Sequence, residues 1–462
     1  MISSLNMRRS ALALAVLTLA GCSFIPTYER PAAPVAAEWS GVTPVAGATP
    51  AAEVAWADFV SDARLRELIG LAIKNNRDLR VATLNIEQVR AQYQIRRADQ
   101  FPTLNLAATG SRQSSTDDSI TSLYTAGLAM SGWEIDFFGR LASLKEVALA
   151  QYLASEEARN AAQTSLVASV ASTWLSLQAS DELLALTQRT LATRQHSLRL
   201  TKLRFDNGAT SALDLRQAES LTAAAESALA QQQRQRALDL NALTLLVGQP
   251  LPAALADPAK DAVTTQPLFR DLPAGLPSDL LTRRADIRQA EQTLIAANAN
   301  IGAARAAFFP RISLTASVGS ASSELSGLFK GGSWGFSLAP QALLPIFDAG
   351  RNRAGLATAQ VGREMAVAQY EKAIQTAFRE VADALAGRAT LGEQLRAQQA
   401  QATAEAERFR LAELRYRNGV ASFLDVLDAQ RSLFSTQQAL TQTRLAQQQN
   451  QVALYKALGG GY

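Results

Sequence analysis

Histidine and cysteine are almost absent from this sequence of 462 residues, which contains one of each, His196 and Cys22. A zinc cluster needs several such ligands, and a Ser-His-Asp arrangement needs a histidine beside its nucleophile. No glycine-rich phosphate loop follows a strand pattern. With a single cysteine, a disulfide within the chain is excluded. We therefore predict that the protein is not an enzyme and that it has no cofactor and no metal site.

Long apolar runs and an excess of one charge are also missing. Beyond residue 21, no segment reaches the roughly 18 consecutive apolar residues of a transmembrane helix. The 45 lysines and arginines nearly balance the 41 acids, and no basic patch interleaved with aromatic residues indicates nucleic acid. A chain of this kind that crosses a membrane must do so with strands in a closed barrel.

The amino terminus carries export signals. Two arginines precede a short apolar run, which predicts a secretory signal peptide over residues 1–21. The letters LAGC at 19–22 resemble the lipobox of bacterial lipoproteins, which implies acylation of Cys22, as by palmitate. Ser23, in place of an aspartate, favours the outer membrane. The alternative is a plain signal peptide with an incidental cysteine. Residues 22–55, rich in proline and alanine, predict an extended, lipid-anchored tether and not a packed element.

Glycine and proline are absent from the 68 residues between Gly139 and Gly208. Helix-forming residues fill this stretch, and a continuous helix would extend on the order of 100 Å. We predict long helices at 140–207 and 209–247, and a third at 420–458. Helices of this length favour a coiled coil, a long bundle or a helical barrel.

The chain repeats itself. The stretch LRFDNGATSALDLRQAESL begins at residue 203 and LRYRNGVASFLDVLDAQRS begins at residue 414, an offset of 211 (414 minus 203). Further matches extend the duplication, so we predict a first repeat over 56–250, a linker over 251–277 and a second repeat over 278–462. Each repeat contains a helix, two strands, a long helix, an Asn-Gly turn and another long helix.

Alternating apolar and small polar residues predict two strands near 102–136 and two near 310–347. One apolar face and one small, polar face suit lipid outside and water inside, although a half-buried sheet of a soluble domain has the same pattern. Four strands are too few to close a barrel, which needs about eight. Several copies must therefore contribute, and three copies would supply twelve strands.

Several motifs together carry a resemblance to a known family: WADFVSDARLRELI (56–69), WEIDFFGR (133–140), FFPRISL (308–314), PIFDAGRNR (345–353) and VLDAQRSL (426–433). Over essentially the whole mature chain they resemble the TolC-like outer membrane factors, in the OprM-type (NodT-like) lipoprotein branch. The resemblance implies a homotrimeric, mixed α and β membrane protein. Its twelve-stranded β-barrel, with four strands from each chain, is continued by a long periplasmic α-helical barrel.

The resemblance also implies a function. Such proteins are passive exit ducts for small molecules in tripartite efflux systems, and they work with a periplasmic adaptor (membrane fusion) protein and an inner-membrane pump of the resistance-nodulation-division class. Two alternatives remain at this point. One is the duct of a type I protein secretion system, and the other is a non-conducting helical lipoprotein of the envelope.

Candidate sites follow from the same resemblance. It implies a periplasmic gate at Leu424, Asp428 and Arg431, and adaptor-docking tips at Gly208, Ala209, Gly419, Val420 and Ala421. The gate residues are spaced i, i+4, i+7 and share one helix face, whereas the first repeat has Leu213, Gln217 and Ser220 there. From spacing alone, the charged residues are an exposed ion pair on a helix surface and the glycines are ordinary turn residues.

Overall fold

The computed structural model describes residues 23–36, 53–114, 120–252, 268–272 and 283–461. Cys22, the predicted acylation site, lies outside these residues. The described residues fall into two compact units. The first consists of residues 23–33, 84–114, 120–157 and 289–372, and the second of residues 34–36, 53–83, 158–252, 268–272, 283–288 and 373–461.

In both repeats a helix precedes two strands, and two long helices follow the strands. The helices are α1 (Trp56–Phe59), α2 (Ala63–Asn75), α3 (Arg77–Ala98), α4 (Arg140–Asp206), α5 (Ala212–Val247), α6 (Ala285–Ala306), α7 (Arg351–Arg417) and α8 (Phe423–Ala457). The strands are β1 (Asn105–Ser114), β2 (Ile120–Glu134), β3 (Arg311–Ser322) and β4 (Trp334–Leu343).

The four strands form one antiparallel sheet in the order β1-β2-β3-β4. Its register aligns Leu106, Leu128, Val318 and Phe336 in one row across all four strands. These side chains are apolar and exposed, from 38% for Val318 to 85% for Leu106. One face of the sheet therefore presents a row of apolar side chains that the described residues leave largely or partly uncovered.

The opposite face is built from small residues. The next row across the sheet is Ala107, Gly127, Gly319 and Gly335. A Cβ added to Gly319 would lie 2.3 Å from the Ala126 carbonyl oxygen, so β2 and β3 approach too closely here for a side chain. Side chains on adjacent positions of a strand point to opposite faces, and this alternation produces the apolar face and the small face that the sequence predicts.

Both edges of the sheet are open. In the described part of the chain, β1 pairs with β2 alone and β4 pairs with β3 alone. All residues of β4 are exposed. An edge strand offers unpaired backbone donors and acceptors to another chain, so the sheet has two sites for strand pairing.

The segment after the predicted acylation site is packed, contrary to the sequence prediction. Residues 23–33, the amino-terminal strap, are extended but lie against α6. Arg30 donates two hydrogen bonds to the Glu291 carboxylate, at 2.7 and 2.9 Å, and the Tyr28 hydroxyl donates a third at 3.0 Å. The Phe24 ring stacks on Phe309 at 4.6 Å. The prediction of an unpacked tether is therefore wrong for this segment, because specific contacts replace the freedom that proline-rich composition suggested.

Aromatic stacking anchors the described part of the predicted linker. Phe269 is buried and its ring lies 5.0 Å from that of Phe59, which in turn stacks on Tyr455 at 4.1 Å. The Tyr455 hydroxyl donates to the Val54 carbonyl oxygen at 3.0 Å. Residues 268–272 are thus fixed to the second unit.

Candidate functional site

The two Asn-Gly turns have the same hydrogen-bond pattern. After α4, Gly208 N–H donates to the Phe205 carbonyl at 2.9 Å and Ala209 N–H donates to the Arg204 carbonyl at 2.7 Å. This pair of bonds defines a Schellman motif, which needs a residue with positive φ after the helix. Gly208 supplies it with φ of 72°.

The second turn repeats this geometry after α7. Gly419, with φ of 74°, donates to the Tyr416 carbonyl at 3.0 Å, and Val420 donates to the Arg415 carbonyl at 3.0 Å. Ser211 and Ser422 then begin α5 and α8 with capping boxes, in which Asp214 and Asp425 close the reciprocal bonds. Each copy of the turn is therefore stabilised by its own local sequence.

The tips are exposed and apolar. A Cβ at Gly208 or Gly419 would meet no atom within 4 Å, so packing does not require either glycine. Val420 is 65% exposed and Leu213 is 67% exposed. Ala209 is also exposed, and Ala421 is half-buried. The predicted docking residues lie at the two turns, and all of them except the half-buried Ala421 are exposed to solvent.

The two hairpins, α4–α5 and α7–α8, touch near these turns. Arg204 of α4 donates to the Tyr416 hydroxyl of α7, and its guanidinium carbon lies 5.1 Å from the Tyr416 ring centroid. Both contacts are solvent-exposed, where such interactions are weak.

The predicted gate residues lie on the exposed face of α8. Asp428 and Arg431 form an ion pair with an Oδ1–Nη2 distance of 2.6 Å. Leu424, one turn earlier, is 53% exposed. The opposite face of α8 is buried, through Val426 and Leu427 among others. The structure thus brings Asp428 and Arg431 into contact and leaves Leu424 free at the surface.

A third charged residue belongs to this cluster and was missed by the sequence prediction. Arg408 of α7 donates to Oδ2 of Asp428, so each carboxylate oxygen accepts from one arginine. Arg408 also pairs with Glu405 at 3.1 Å. The carboxylate is therefore held between two helices and not only by its neighbour on α8. We call Leu424, Arg408, Asp428 and Arg431 the gate cluster.

The repeat offset contained a signal for Arg408. Subtracting 211 places Ser197 at the position of Arg408, just as Gln217 and Ser220 stand where the second repeat has Asp428 and Arg431. All three charged members of the gate cluster are thus uncharged in the first repeat. A comparison of charge along the whole repeat would have found the third member.

Electrostatics keep the gate cluster ionised. The hydrogen bond from Arg431, and then that from Arg408, lower the pKa of the Asp428 carboxyl below its usual range. Two guanidinium groups on one carboxylate form charge-assisted hydrogen bonds, which are stronger than neutral ones. The Asp428 carboxylate therefore stays ionised throughout the neutral range.

In the described residues, no three His, Cys, Asp or Glu side chains are grouped in a way that could hold a metal ion. His196 is exposed on α4. None of the helices in the described ranges is long and apolar enough to cross a membrane.

The sequence profile described as outer membrane efflux protein matches residues 68–249 and 276–460. These two matches nearly coincide with the two predicted repeats and together cover most of the chain. The chain therefore belongs to the outer membrane efflux protein family, which confirms the family predicted from its motifs.

Individual relatives agree over nearly the full length. The chain is 50% identical over 470 residues to the probable efflux pump outer membrane protein TtgC of Pseudomonas putida, covering 99% of this chain and 96% of the relative. It is 47% identical to the outer membrane protein OprJ of Pseudomonas aeruginosa, covering 98% and 95%. The crystal structure of the open state of the Neisseria gonorrhoeae MtrE outer membrane channel superimposes with a TM-score of 0.85 at 41% identity, covering 95% and 98%.

These likenesses confirm the predicted fold class and the predicted role in efflux. Per chain, the fold is that of an outer membrane efflux channel, with four strands, long helices and an internal repeat.

Proposed function

We propose that three copies of this chain assemble into a closed channel that serves as the exit duct of a tripartite efflux system. The observation that carries this proposal is the sheet with two open edges, one apolar face and one face of small residues. Pairing β4 of one copy with β1 of the next satisfies both edges. It also turns the apolar row toward lipid and the small row toward water.

Cys22 acylation is part of the proposal. The amino-terminal strap begins directly after this residue, and its Phe24 ring stacks on Phe309, which precedes β3. An acyl chain on Cys22 would therefore enter the membrane close to the strands. Acylation adds hydrophobic area that anchors a protein to a bilayer.

The gate cluster would close the periplasmic end. In a threefold assembly, three Asp428 carboxylates, each held by Arg408 and Arg431, surround one axis. Hydrogen bonds from arginine hold each carboxylate in place and compensate the repulsion between like charges. Leu424 adds an apolar ring one helical turn away.

The cargo and the partners are proposed from the relatives. Relatives of this chain are described as toluene and antibiotic efflux pump outer membrane proteins. We infer small, largely apolar molecules as cargo, with an adaptor protein at the tips and a pump of the resistance-nodulation-division class in the inner membrane.

The test uses the purified full-length protein in detergent and in planar lipid bilayers. The proposal expects the mass of three chains and a measurable, gated ion conductance. A preparation with the mass of one chain, or a trimer that conducts nothing even after substitution of the gate cluster, would favour a non-conducting envelope lipoprotein. A gene deletion that blocks export of a protein while leaving drug and solvent resistance intact would favour type I secretion.

Adaptor docking gives a separate prediction at the tip. Val420→Glu is expected to reduce adaptor binding about tenfold or more, because it introduces a charge into an exposed apolar contact that binding would desolvate. Binding of the purified adaptor, measured by surface plasmon resonance, checks the result.

The matched control is Gln399→Glu, which adds the same charge at an exposed position of α7 away from the turn. If the Val420 variant, the control and the unaltered protein bind the adaptor equally well, the tip is not part of the adaptor interface. Both variants should unfold at the same temperature as the unaltered protein, because neither position is buried.

A further inference from the structure

Arg194 is a buried cation without an acidic partner among the described residues. Its side chain belongs to α4 and the residue is 5% exposed. Its Nη1 donates to the Leu221 carbonyl oxygen of α5 at 2.8 Å, and its guanidinium carbon lies 5.3 Å from the ring centroid of Phe434 on α8. Its Nε atom has no hydrogen-bond partner in the described chain.

Such an arrangement is costly for stability alone. A charge removed from water without an opposite charge destabilises the folded state, and burial here lowers the pKa of the guanidinium. An apolar side chain of similar length would fill the same space at lower cost. A buried arginine at this position therefore indicates a role beyond filling space.

The contacts of Arg194 join three helices from both hairpins. Leu221 belongs to the first hairpin with α4, whereas Phe434 belongs to the second hairpin. Phe434 also lies three residues after Arg431, about one helical turn along α8. The cation–π contact is thus a buried connection between the first hairpin and the segment of α8 that carries the gate cluster.

Other contacts between α4 and α8 lie farther from the gate cluster. Glu182 accepts from Arg444 at 3.0 Å, and Gln449 donates to the Ser176 hydroxyl at 3.1 Å. Outward movement of the gate segment can leave these contacts in place, but it must separate Phe434 from Arg194. Arg194 is therefore placed to hold or release α8 near the gate.

The repeat supports a specialised role. At an offset of 211, the counterpart of Arg194 is Glu405, which pairs with Arg408 of the gate cluster. Glu405 contacts Arg408, which in turn contacts Asp428 of α8, whereas Arg194 contacts Phe434 of α8 directly. The two copies of this position therefore differ in charge and in the way they are linked to α8.

We propose that Arg194 is a positioning residue that holds α8 in the closed arrangement of the gate by its cation–π contact with Phe434. This inference rests on the proposed gating function of Asp428 and Arg431. According to this inference, closure of the channel also depends on a residue of the first hairpin, Arg194, which contacts α8 outside the gate cluster.

The experiment measures closed-channel conductance of the purified full-length protein in planar bilayers, together with vancomycin sensitivity of cells that express it. Arg194→Met removes the cation and keeps the volume. We expect the conductance to rise at least about fivefold, because the loss of even one buried cation–π contact allows a population shift of this size and the proposed trimer contains three. Phe434→Leu should give the same rise, and the double variant should add little, because both changes remove one contact. Arg194→Lys keeps a cation over the ring, so its closed-channel conductance should stay close to that of the unaltered protein.

Two controls separate this inference from the gate itself. Arg199→Met changes an exposed arginine on the same helix and should leave the conductance unaltered. Asp428→Ala tests the gate directly. A rise with Asp428→Ala but none with Arg194→Met or Phe434→Leu would overturn the role of Arg194 and leave the gate standing. No rise with Asp428→Ala would instead overturn the gate.

A purely structural role predicts a different pattern. Arg194→Met would then lower the unfolding temperature and the yield of trimer without a rise in the conductance of the trimers that form, and that result would overturn the proposal. If Arg194→Met does not assemble, Phe434→Leu decides alone, because it removes the other half of the contact and keeps an apolar side chain.

Discussion

Alanine in place of Asp428 is expected to raise the closed-channel conductance on the order of tenfold, because three copies of the ion-pair cluster would stabilise one closed state together. The substitution removes the acceptor that Arg408 and Arg431 share. Single-channel recording in planar bilayers checks this result. The change lies at the protein surface, so the unfolding temperature should barely alter.

Glu413→Ala is the matched control, since it removes an acid that pairs with Arg417 on α7 outside the gate cluster. If Asp428→Ala and this control have the same conductance, the cluster is an ordinary set of surface ion pairs and has no role in gating.

The pH dependence of the conductance gives an independent test of the same cluster. The pKa of Asp428 is lowered by the hydrogen bond from Arg431 and then by that from Arg408. A carboxylate of lowered pKa stabilises the folded arrangement above the ordinary aspartate value, about 4, and loses this effect as the pH falls through the lowered pKa. The conductance should therefore stay constant from neutral pH to about 4 and rise below it. The Asp428→Ala channel should lack this rise.

Gly319→Val is expected to abolish assembly, because its side chain would collide with the backbone of β2. A Cβ at this position lies 2.3 Å from the Ala126 carbonyl oxygen and 2.6 Å from the Gly127 Cα atom. Even Gly319→Ala should cost at least about 1–3 kcal/mol, the range for overpacking. The yield of folded protein in the membrane fraction and its unfolding temperature check the result.

Two other glycines complete the test: Gly331 is the control, and Gly335 tests whether another strand lies beside β4. A Cβ at Gly331, in the loop before β4, meets no atom within 4 Å, so Gly331→Ala should be neutral. Gly335 lies in the same row as Gly319, and a Cβ there also meets no atom of the described residues within 4 Å. A loss of trimer with Gly335→Ala, while Gly331→Ala stays normal, would indicate a neighbouring strand at the β4 edge. Normal assembly of Gly319→Val would contradict the close approach of β2 and β3.

Local chemistry explains why the helices were predictable. The absence of glycine and proline predicted a helix over 140–207, and α4 spans Arg140–Asp206. The Asn-Gly turns and the serine caps that follow them are set by neighbouring residues, so the sequence carries their whole cause. The α7 helix was harder to delimit, because it contains Gly355, Gly362, Gly387 and Gly392 yet remains continuous. Packing overrides the helix propensity of single residues there.

Contacts between distant segments explain what was missed. Arg408 and Asp428 are on different helices, so no spacing rule for one helix joins them. The strap was predicted to be unpacked because its composition matches a linker, whereas its partner Glu291 lies more than 260 residues away. Only the fold brings these groups together. The ion pair between Asp428 and Arg431 was foreseeable, because both residues lie on one helical turn.

The strap has a mechanical consequence. A pull on the amino terminus, such as a moving bilayer would exert through a lipid on Cys22, would meet the contacts of the strap in sequence order. The Arg305 and Asn298 side chains of α6 donate to the Phe24 and Pro26 carbonyl oxygens, at 3.2 and 2.7 Å, and the Tyr28 bond and the Arg30–Glu291 fork follow. Burial and the Glu291 carboxylate raise the pKa of the Tyr28 phenol, so this donor keeps its proton at any pH the cell experiences. Tension on a lipid attached at Cys22 would therefore be distributed along α6, at Glu291, Asn298 and Arg305, in addition to the Phe24–Phe309 stack that precedes β3.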